Sequence, residues 1–259
     1  MKIDKEKLKN IVGEQNFSDK PADLYVYGAD ASVHHALPSV IVRPNSIEEV
    51  QKIMRYANKD KIPVVPRGAG SGTSGHTVPI DGGIILDMKR MNRILEIVPE
   101  DMLVRVEPGV VDDDLNRALK PLGLFYPPAP ASSRIATIGG EIAANASGVR
   151  SVKYGATRDY VMGMKVVLAN GDLVNLGSNT RVHSSGYQLE RLIVGSEGTL
   201  AVVVEATMGI RPIPKYRCLA VANFDKLEDA GNAISEIISS GCEPSMLELM
   251  DKIGIVAVN

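Results

Sequence analysis

Apolar residues recur at Ile47, Val50, Ile53, Met54 and Ala57, the spacing of one helix face. The run opens on Ser46, with Glu49 three residues later, the sequence form of a capping box. Strands are predicted on either side, over Ser39 to Arg43 (stopped by Pro44) and over Ile62 to Val65. This β-α-β unit delivers the chain into a glycine-rich loop, Pro66 to Gly75. The pattern then shortens. Gly83 to Asp87, Ile94 to Val98 and Leu103 to Glu107 read as short strands. A helix is expected from Asp112 to Lys120, with Leu115, Ala118 and Leu119 on one face. Pro121 to Pro130 reads as a rigid extended segment and Ile138 to Asn145 as a short helix of small residues. Val161 to Leu168 and Leu173 to Leu176 flank Asn170-Gly171, the signal of a type I′ hairpin. Leu200 to Met208 reads as a buried strand, and Met1 to Asn10 as a charged helical stretch.

After Pro212 and Pro214 the pattern starts afresh. Leu219 to Phe224 is strand-like, and Leu227, Ala230, Ile234, Ile237 and Ile238 have helical spacing. Ser245 to Met250 is a candidate second strand. The expected organisation is an α+β domain over residues 1–212, followed over 213–259 by the truncated β-α-β start of a second domain.

Composition narrows the classes of partner. The formal net charge is -2 and no long basic run occurs, so neither nucleic acid nor an anionic membrane surface is expected. Apolar stretches such as Val161 to Ala169 are far too short to span a bilayer. The charged N-terminus lacks a signal-peptide core, which points to the cytoplasm. Cys218 and Cys242 form no CxxC pair, against a zinc ribbon or iron–sulfur cluster, and both read as buried thiols. Asp112, Asp113 and Asp114 read as first-turn carboxylates that cap amides and suit the helix dipole, not as a metal site.

Candidate chemistry concentrates in three loops. In Pro66-Arg-Gly-Ala-Gly-Ser-Gly-Thr-Ser-Gly75, closely spaced glycines let backbone amides converge on phosphate oxygens. A Rossmann fingerprint needs a third glycine where Thr73 stands and a helix afterwards, yet Pro79, Gly82 and Gly83 follow. A P-loop needs lysine where His76 stands. A loop gripping a pyrophosphate by amides alone fits best, with a plain glycine turn as the alternative. The second loop runs from Ala131-Ser-Ser-Arg-Ile-Ala-Thr137 through Gly139-Gly140 to Ala144-Asn-Ala-Ser-Gly148. The third is Gly195-Ser-Glu-Gly-Thr-Leu200. Three such loops at long intervals suit an extended ligand better than a mononucleotide. His34, His35, His76 and His183 read as surface or core imidazoles, with His76 nearest the first loop.

The order PRGAGSG, ASSRIATIGGEIAANASG, YGATRDYV, GSEGTLAVV resembles the vanillyl-alcohol oxidase and p-cresol methylhydroxylase family of flavoproteins. Within it the chain is most similar to glycolate oxidase flavin subunits and D-lactate and D-2-hydroxyacid dehydrogenases, over roughly residues 20 to 212. The resemblance implies an α+β domain of two subdomains with FAD extended between them. By motif, Arg67, Gly68, Ala69, Gly70, Ser71 and Gly72 would wrap the pyrophosphate through backbone amides, with Pro66 beside them in the cofactor site. Pro130, Ser132, Ser133, Thr137, Gly139 and Gly140 would line the flavin and its ribityl chain. Asn145 and Ser147 would complete the diphosphate site, and Glu197, Gly198, Thr199 and Val203 would hold the adenosine or flavin edge. Tyr154, Gly155, Thr157 and Asp159 match a family segment and read as structural. Some relatives link flavin through a histidine after the glycine pair of the first loop. Ser71 stands there, so non-covalent FAD is expected.

In such enzymes the cofactor carries the hard step. Hydride leaves the α-carbon of a small 2-hydroxy acid for flavin N5, a base takes the hydroxyl proton, and a cation holds the carboxylate. In the D-2-hydroxyacid branch those groups and a histidine-rich metal motif belong to the C-terminal cap. No such motif occurs here, so no catalytic residue and no metal is assigned, and this chain is expected to bind FAD but turn over hydroxy acids poorly. A non-catalytic FAD-binding electron-transfer subunit, with an electron acceptor or partner subunit, is the second reading, and a flavin-free phosphate-binding scaffold the third.

Overall fold

The computed structural model describes residues 3–180 and 182–258. Helix α1 (Lys5–Val12) is capped by Asp4, which accepts the Lys7 amide at 3.0 Å. Met1 and Lys2, part of the predicted helical stretch, lie outside the described residues. Then come β1 (Phe17–Ser18), α2 (Pro21–Tyr27), β2 (Val40–Val42), α3 (Ile47–Asp60), β3 (Val64–Arg67) and β4 (Ile84–Asp87). The strands form one sheet in the order β1-β2-β4-β3, with β2 and β3 both parallel to β4. At the start of α3, Ser46 Oγ accepts the Glu49 amide at 3.2 Å. Glu49 itself reaches the amide of Asn45, at 2.7 Å, one residue before the expected partner. The α3 face of Val50, Ile53 and Ala57 is buried with Val40, Val42, Ile84 and Leu86. Strand β3 starts two residues later than predicted. Ile62 still belongs to the end of α3, its amide bonded to Ala57 O, and parallel pairing with β4 begins at Val64. The chain passes from β3 to β4 without a helix, so the glycine-rich loop makes the whole crossing.

The second unit contains β5 (Ile94–Val98), β6 (Leu103–Val106), α4 (Asp112–Leu119), β7 (Leu124–Phe125) and α5 (Ile138–Ala144). It continues with α6 (Ser151–Tyr154), β8 (Val161–Leu168), β9 (Leu173–Gly177), α7 (Leu189–Ile193), β10 (Ala201–Gly209) and β11 (Arg211–Pro212). Five strands form an antiparallel sheet, β5-β6-β10-β8-β9. One face packs Val104, Val106, Val203 and Met208 against Leu115 and Leu119 of α4 and Ile138 and Ile142 of α5. The other face sends Val167, Val202 and Val204 into the core of the first unit. The register shift between Val203 and Glu205 resets the alternation, so that Ala206 and Met208 share the core of Ala201 and Val203.

Four expectations are corrected. The β8–β9 turn is not type I′: Gly171 has φ 85°, but Asn170 is not among the positive-φ residues. Leu168 and Asp172 close a three-residue loop, with Leu168 N to Asp172 O at 2.9 Å and Gly171 N to Leu168 O at 2.8 Å. That loop needs only its last residue left-handed. Residues 219–224 and 245–250 form no strand, since no neighbouring backbone pairs with them, and helices α8 (Leu227–Ser239) and α9 (Lys252–Val258) stand alone there. Helix α8 buries no residue. Cys218 and Cys242, in the same region, are exposed and not buried thiols. Finally, no side chain caps α4, and Asp112 is buried instead of meeting the first-turn amides.

Candidate cofactor cleft

The three small-residue loops meet. Gly68, just past β3, lies against Thr137 Oγ1, the hydroxyl that caps α5 by accepting the Gly140 amide at 3.3 Å. Gly198 of the third loop rests on the Pro66 ring, where an added β-carbon would come within 3.2 Å of Cγ. The third loop is also tied to α5: Gly195 N bonds Ile142 O and Glu197 N bonds Ala143 O, each at 2.9 Å. Each loop therefore touches the other two. Between them lies a cleft partly open to solvent.

All seven candidates of the first loop line this cleft: Pro66, Arg67, Gly68, Ala69, Gly70, Ser71 and Gly72. So do Pro130, Ser132, Thr137, Gly139 and Gly140 of the second, and Glu197, Gly198 and Val203 of the third. Four candidates do not line it. The Ser133 carbonyl accepts the Asp113 amide, and Asn145 ends α5 in the left-handed region with Oδ1 accepting the Arg158 amide at 3.0 Å. Ser147 is exposed, and Thr199 Oγ1 donates to Ser196 O at 2.6 Å. The segment read as structural stays so: Thr157 is fully buried and donates to Ala146 O at 2.8 Å, while Asp159 accepts the Ala156 amide at 2.9 Å.

The first loop has unspent donors. The backbone amides of residues 69–72 donate to no acceptor among the described residues. Buried or half-buried amides are ordinarily paired, so four successive free ones along a cleft suit an anion with several oxygens. Beneath them the Arg67 guanidinium is held by Thr77 Oγ1 at 3.1 Å and packs under Gly70. Burial pushes its pKa below the ordinary arginine value, and Tyr27, Asp30 and Asp87 draw it back. The lining also includes the apolar side chains of Ile193, Val202 and Val203. Loop chemistry and the small-residue cradle thus fit a dinucleotide whose diphosphate meets amides and whose ring meets hydrocarbon.

Several lining residues were not anticipated. His76 closes the first loop, its ring against Gly72 and Nδ1 3.7 Å from Glu197 Oε1. Proximity in sequence was its only signal. Met88 and Pro108 reach the cleft from outside the motifs. Glu141 lines it too, almost wholly buried, and nothing in its helical pattern marked it.

The profile of the family described as FAD binding domain matches residues 38–177. The chain belongs to this family. FAD is accordingly its cofactor. A second profile, described as FAD linked oxidases, C-terminal domain, matches residues 213–259. Glycolate oxidase subunit GlcD of Bacillus subtilis is 41% identical over 96% of this chain and 53% of its own length. The mitochondrial D-lactate dehydrogenase [cytochrome] of Arabidopsis thaliana is 41% identical over 97% of this chain and 44% of its own. Among solved structures, an alkyldihydroxyacetonephosphate synthase superposes with TM-score 0.81 at 26% identity, covering 93% of this chain and 46% of that one. A substrate-bound p-cresol methylhydroxylase gives 0.78 at 25%, covering 90% and 47%. The chain thus spans about half the length of the relatives it matches, and its fold is shared with p-cresol methylhydroxylase. No helix among the described residues is long and apolar enough to cross a membrane.

Proposed function

We propose that this chain is the flavin-binding part of an oxidoreductase that oxidises a small D-2-hydroxy acid such as lactate or glycolate. The observation that carries the reading is the row of unspent amides at 69–72 in a cleft also lined by Ile193, Val202 and Val203, in a chain whose relatives are named for glycolate and D-lactate oxidation. Bound FAD would supply the hydride acceptor. The amides of Ala69 to Gly72 would hold its diphosphate, with Arg67 beneath them adding positive charge. Thr137 and Gly140, at the start of α5, would position the ribityl side, and Val202, Val203 and Ile193 would exclude water from the ring. Ser71 stands where a linking histidine would be, so FAD is held non-covalently. Residues 213–259 would begin the part that meets substrate, a division supported by the second profile match.

The glycolate oxidase relatives are named as subunits, which supports a second reading, an FAD-bearing electron-transfer partner in a larger assembly. One experiment separates the two. The purified chain is loaded with FAD, freed of excess, and mixed anaerobically with D-lactate, glycolate or D-2-hydroxyglutarate. Flavin absorbance that bleaches with one acid, even slowly, and is released into the supernatant by acid precipitation is the expected result. A flavin that dithionite bleaches but no hydroxy acid does would leave the electron-transfer reading. Colour retained in the acid pellet would refute non-covalent binding.

A further inference from the structure

Asp112 opens α4 and Glu141 lies in the middle of α5, and their exposures are 1% and 2%. Asn116 Nδ2 donates to Asp112 Oδ1 at 2.5 Å. Asp112 Oδ2, both carboxyl oxygens of Glu141 and the hydroxyl of the fully buried Tyr126 have no hydrogen-bond partner among the described residues. Such orphan atoms are costly in a core. The two carboxyls adjoin each other, so a single proton between them would satisfy one oxygen of each and remove a charge. Two carboxylates side by side in this setting would repel with little solvent to screen them.

The pair sits at a joint of the cleft. Val111 bridges Thr137, Ile138 N bonds Val110 O at 2.8 Å, and Asp112 N bonds Ala136 O at 3.0 Å. Asp113 N bonds Ser133 O at 3.2 Å, and Gly139 N bonds Pro108 O at 2.8 Å. The start of α4 is therefore fastened to the strip of chain that walls the cleft, and Glu141 itself lines it.

We propose that Asp112 and Glu141 share a proton that holds α5 against α4, and that the cleft consequently takes FAD more tightly when the pair is protonated. They are positioning residues, and the inference rests on the cleft being the FAD site. Burial, then the neighbouring Asp112, pushes the Glu141 carboxyl well above the usual range. Burial and the nearby Asp113 raise Asp112 to about 6, with Glu141, Asn116 and Arg150 opposing. Tyr126 stays neutral, raised first by burial and then by Glu141 and Asp112. The groups facing the pair are thus Asp113 on α4, Arg150 before α6, and Tyr126 beyond β7. As pH rises, the first loss near pH 6 leaves the shared proton in place, and loss of that second proton, held higher, leaves two buried carboxylates. Added repulsion loosens α5, and added charge disfavours an anionic diphosphate, so both effects weaken binding in the same direction. By linkage, bound FAD favours the protonated pair.

The test measures FAD affinity of the purified chain by fluorescence titration from about pH 5 to about pH 9, for the wild type, Glu141→Gln and Asp112→Asn, with melting curves of the cofactor-free proteins alongside. The wild type should bind on the order of fivefold or more weakly at the alkaline end. Glu141→Gln, which keeps hydrogen bonding without a charge to gain, should flatten that profile and also the fall in melting temperature. Asp112→Asn should do the same, so the test survives if either variant folds poorly. FAD affinity that falls equally steeply in the wild type and in a folded variant would overturn the inference, as would a flat wild-type profile. Failure of the wild type to bind FAD at any pH would overturn the cleft reading itself, a result distinct from binding that is merely insensitive to pH.

Discussion

Gly68 and Thr137 are in contact across the mouth of the cleft: a β-carbon built on the glycine would overlap the threonine Oγ1. The first loop can therefore approach α5 only because residue 68 has no side chain, and the hydroxyl it touches is the one that caps the helix.

Gly68→Ala should force the two loops apart and weaken FAD binding on the order of tenfold, about 1.4 kcal/mol. Thr137→Ala alone should cost about 1 kcal/mol of stability through loss of the cap. In the double variant the alanine at 68 has nothing to overlap, so its added cost in affinity should shrink. FAD titrations and melting curves of the four proteins complete the cycle, and strictly additive effects would show that the contact is not what matters.

Gly70 and Gly139 both line the cleft but are needed for different reasons. Gly70 has φ 70° with the Arg67 guanidinium directly beneath it. In Gly70→Val the loop relaxes out of the left-handed region, and binding must restore it at about 1–2 kcal/mol or more. The fold should survive while FAD affinity drops. At Gly139 an added β-carbon would come within 2.6 Å of Pro108 Cβ and 3.0 Å of its carbonyl oxygen, both part of the scaffold. Gly139→Val should therefore lower the melting temperature of the cofactor-free protein. Circular dichroism melts of the two variants distinguish the cases, and an unchanged melt for Gly139→Val would refute the packing argument.

Cys218 and Cys242 are exposed. Both thiols should react with an aromatic disulfide reagent in native buffer, without denaturant. Labelling that waits for unfolding would mean that residues 213–258 bury them.

The sequence discloses those features whose causes are local. The cap at Ser46, the start of α4 at Asp112 and the run of β10 follow from side-chain periodicity and turn chemistry over a few residues. The first loop was legible because an amide nest requires small residues in one continuous stretch. Glu141 was not, since its burial is created by α4, a helix more than twenty residues away, and by Tyr126. Asp112 misled for the same reason: a first-turn aspartate suggests capping, and only the packing of α4 on α5 turns it inward. Residues 219–224 have strand composition, but a strand exists only when another backbone accepts its hydrogen bonds.

Val203 faces one core while Val202 and Val204, its neighbours on β10, face the other. The sheet is thus a party wall between the two units, and no linker separates them at this point. A hinge that opened the cleft by swinging one unit away would have to strip Val167, Val202 and Val204 out of the first unit's core and expose both faces to water. Cofactor entry must instead be a local event, in which the glycine-rich crossing and the Gly195–Leu200 turn lift from an otherwise stationary frame. Exchange of backbone hydrogens should accordingly quicken in those two loops when FAD is removed, while β8 and β10 remain as slow as before.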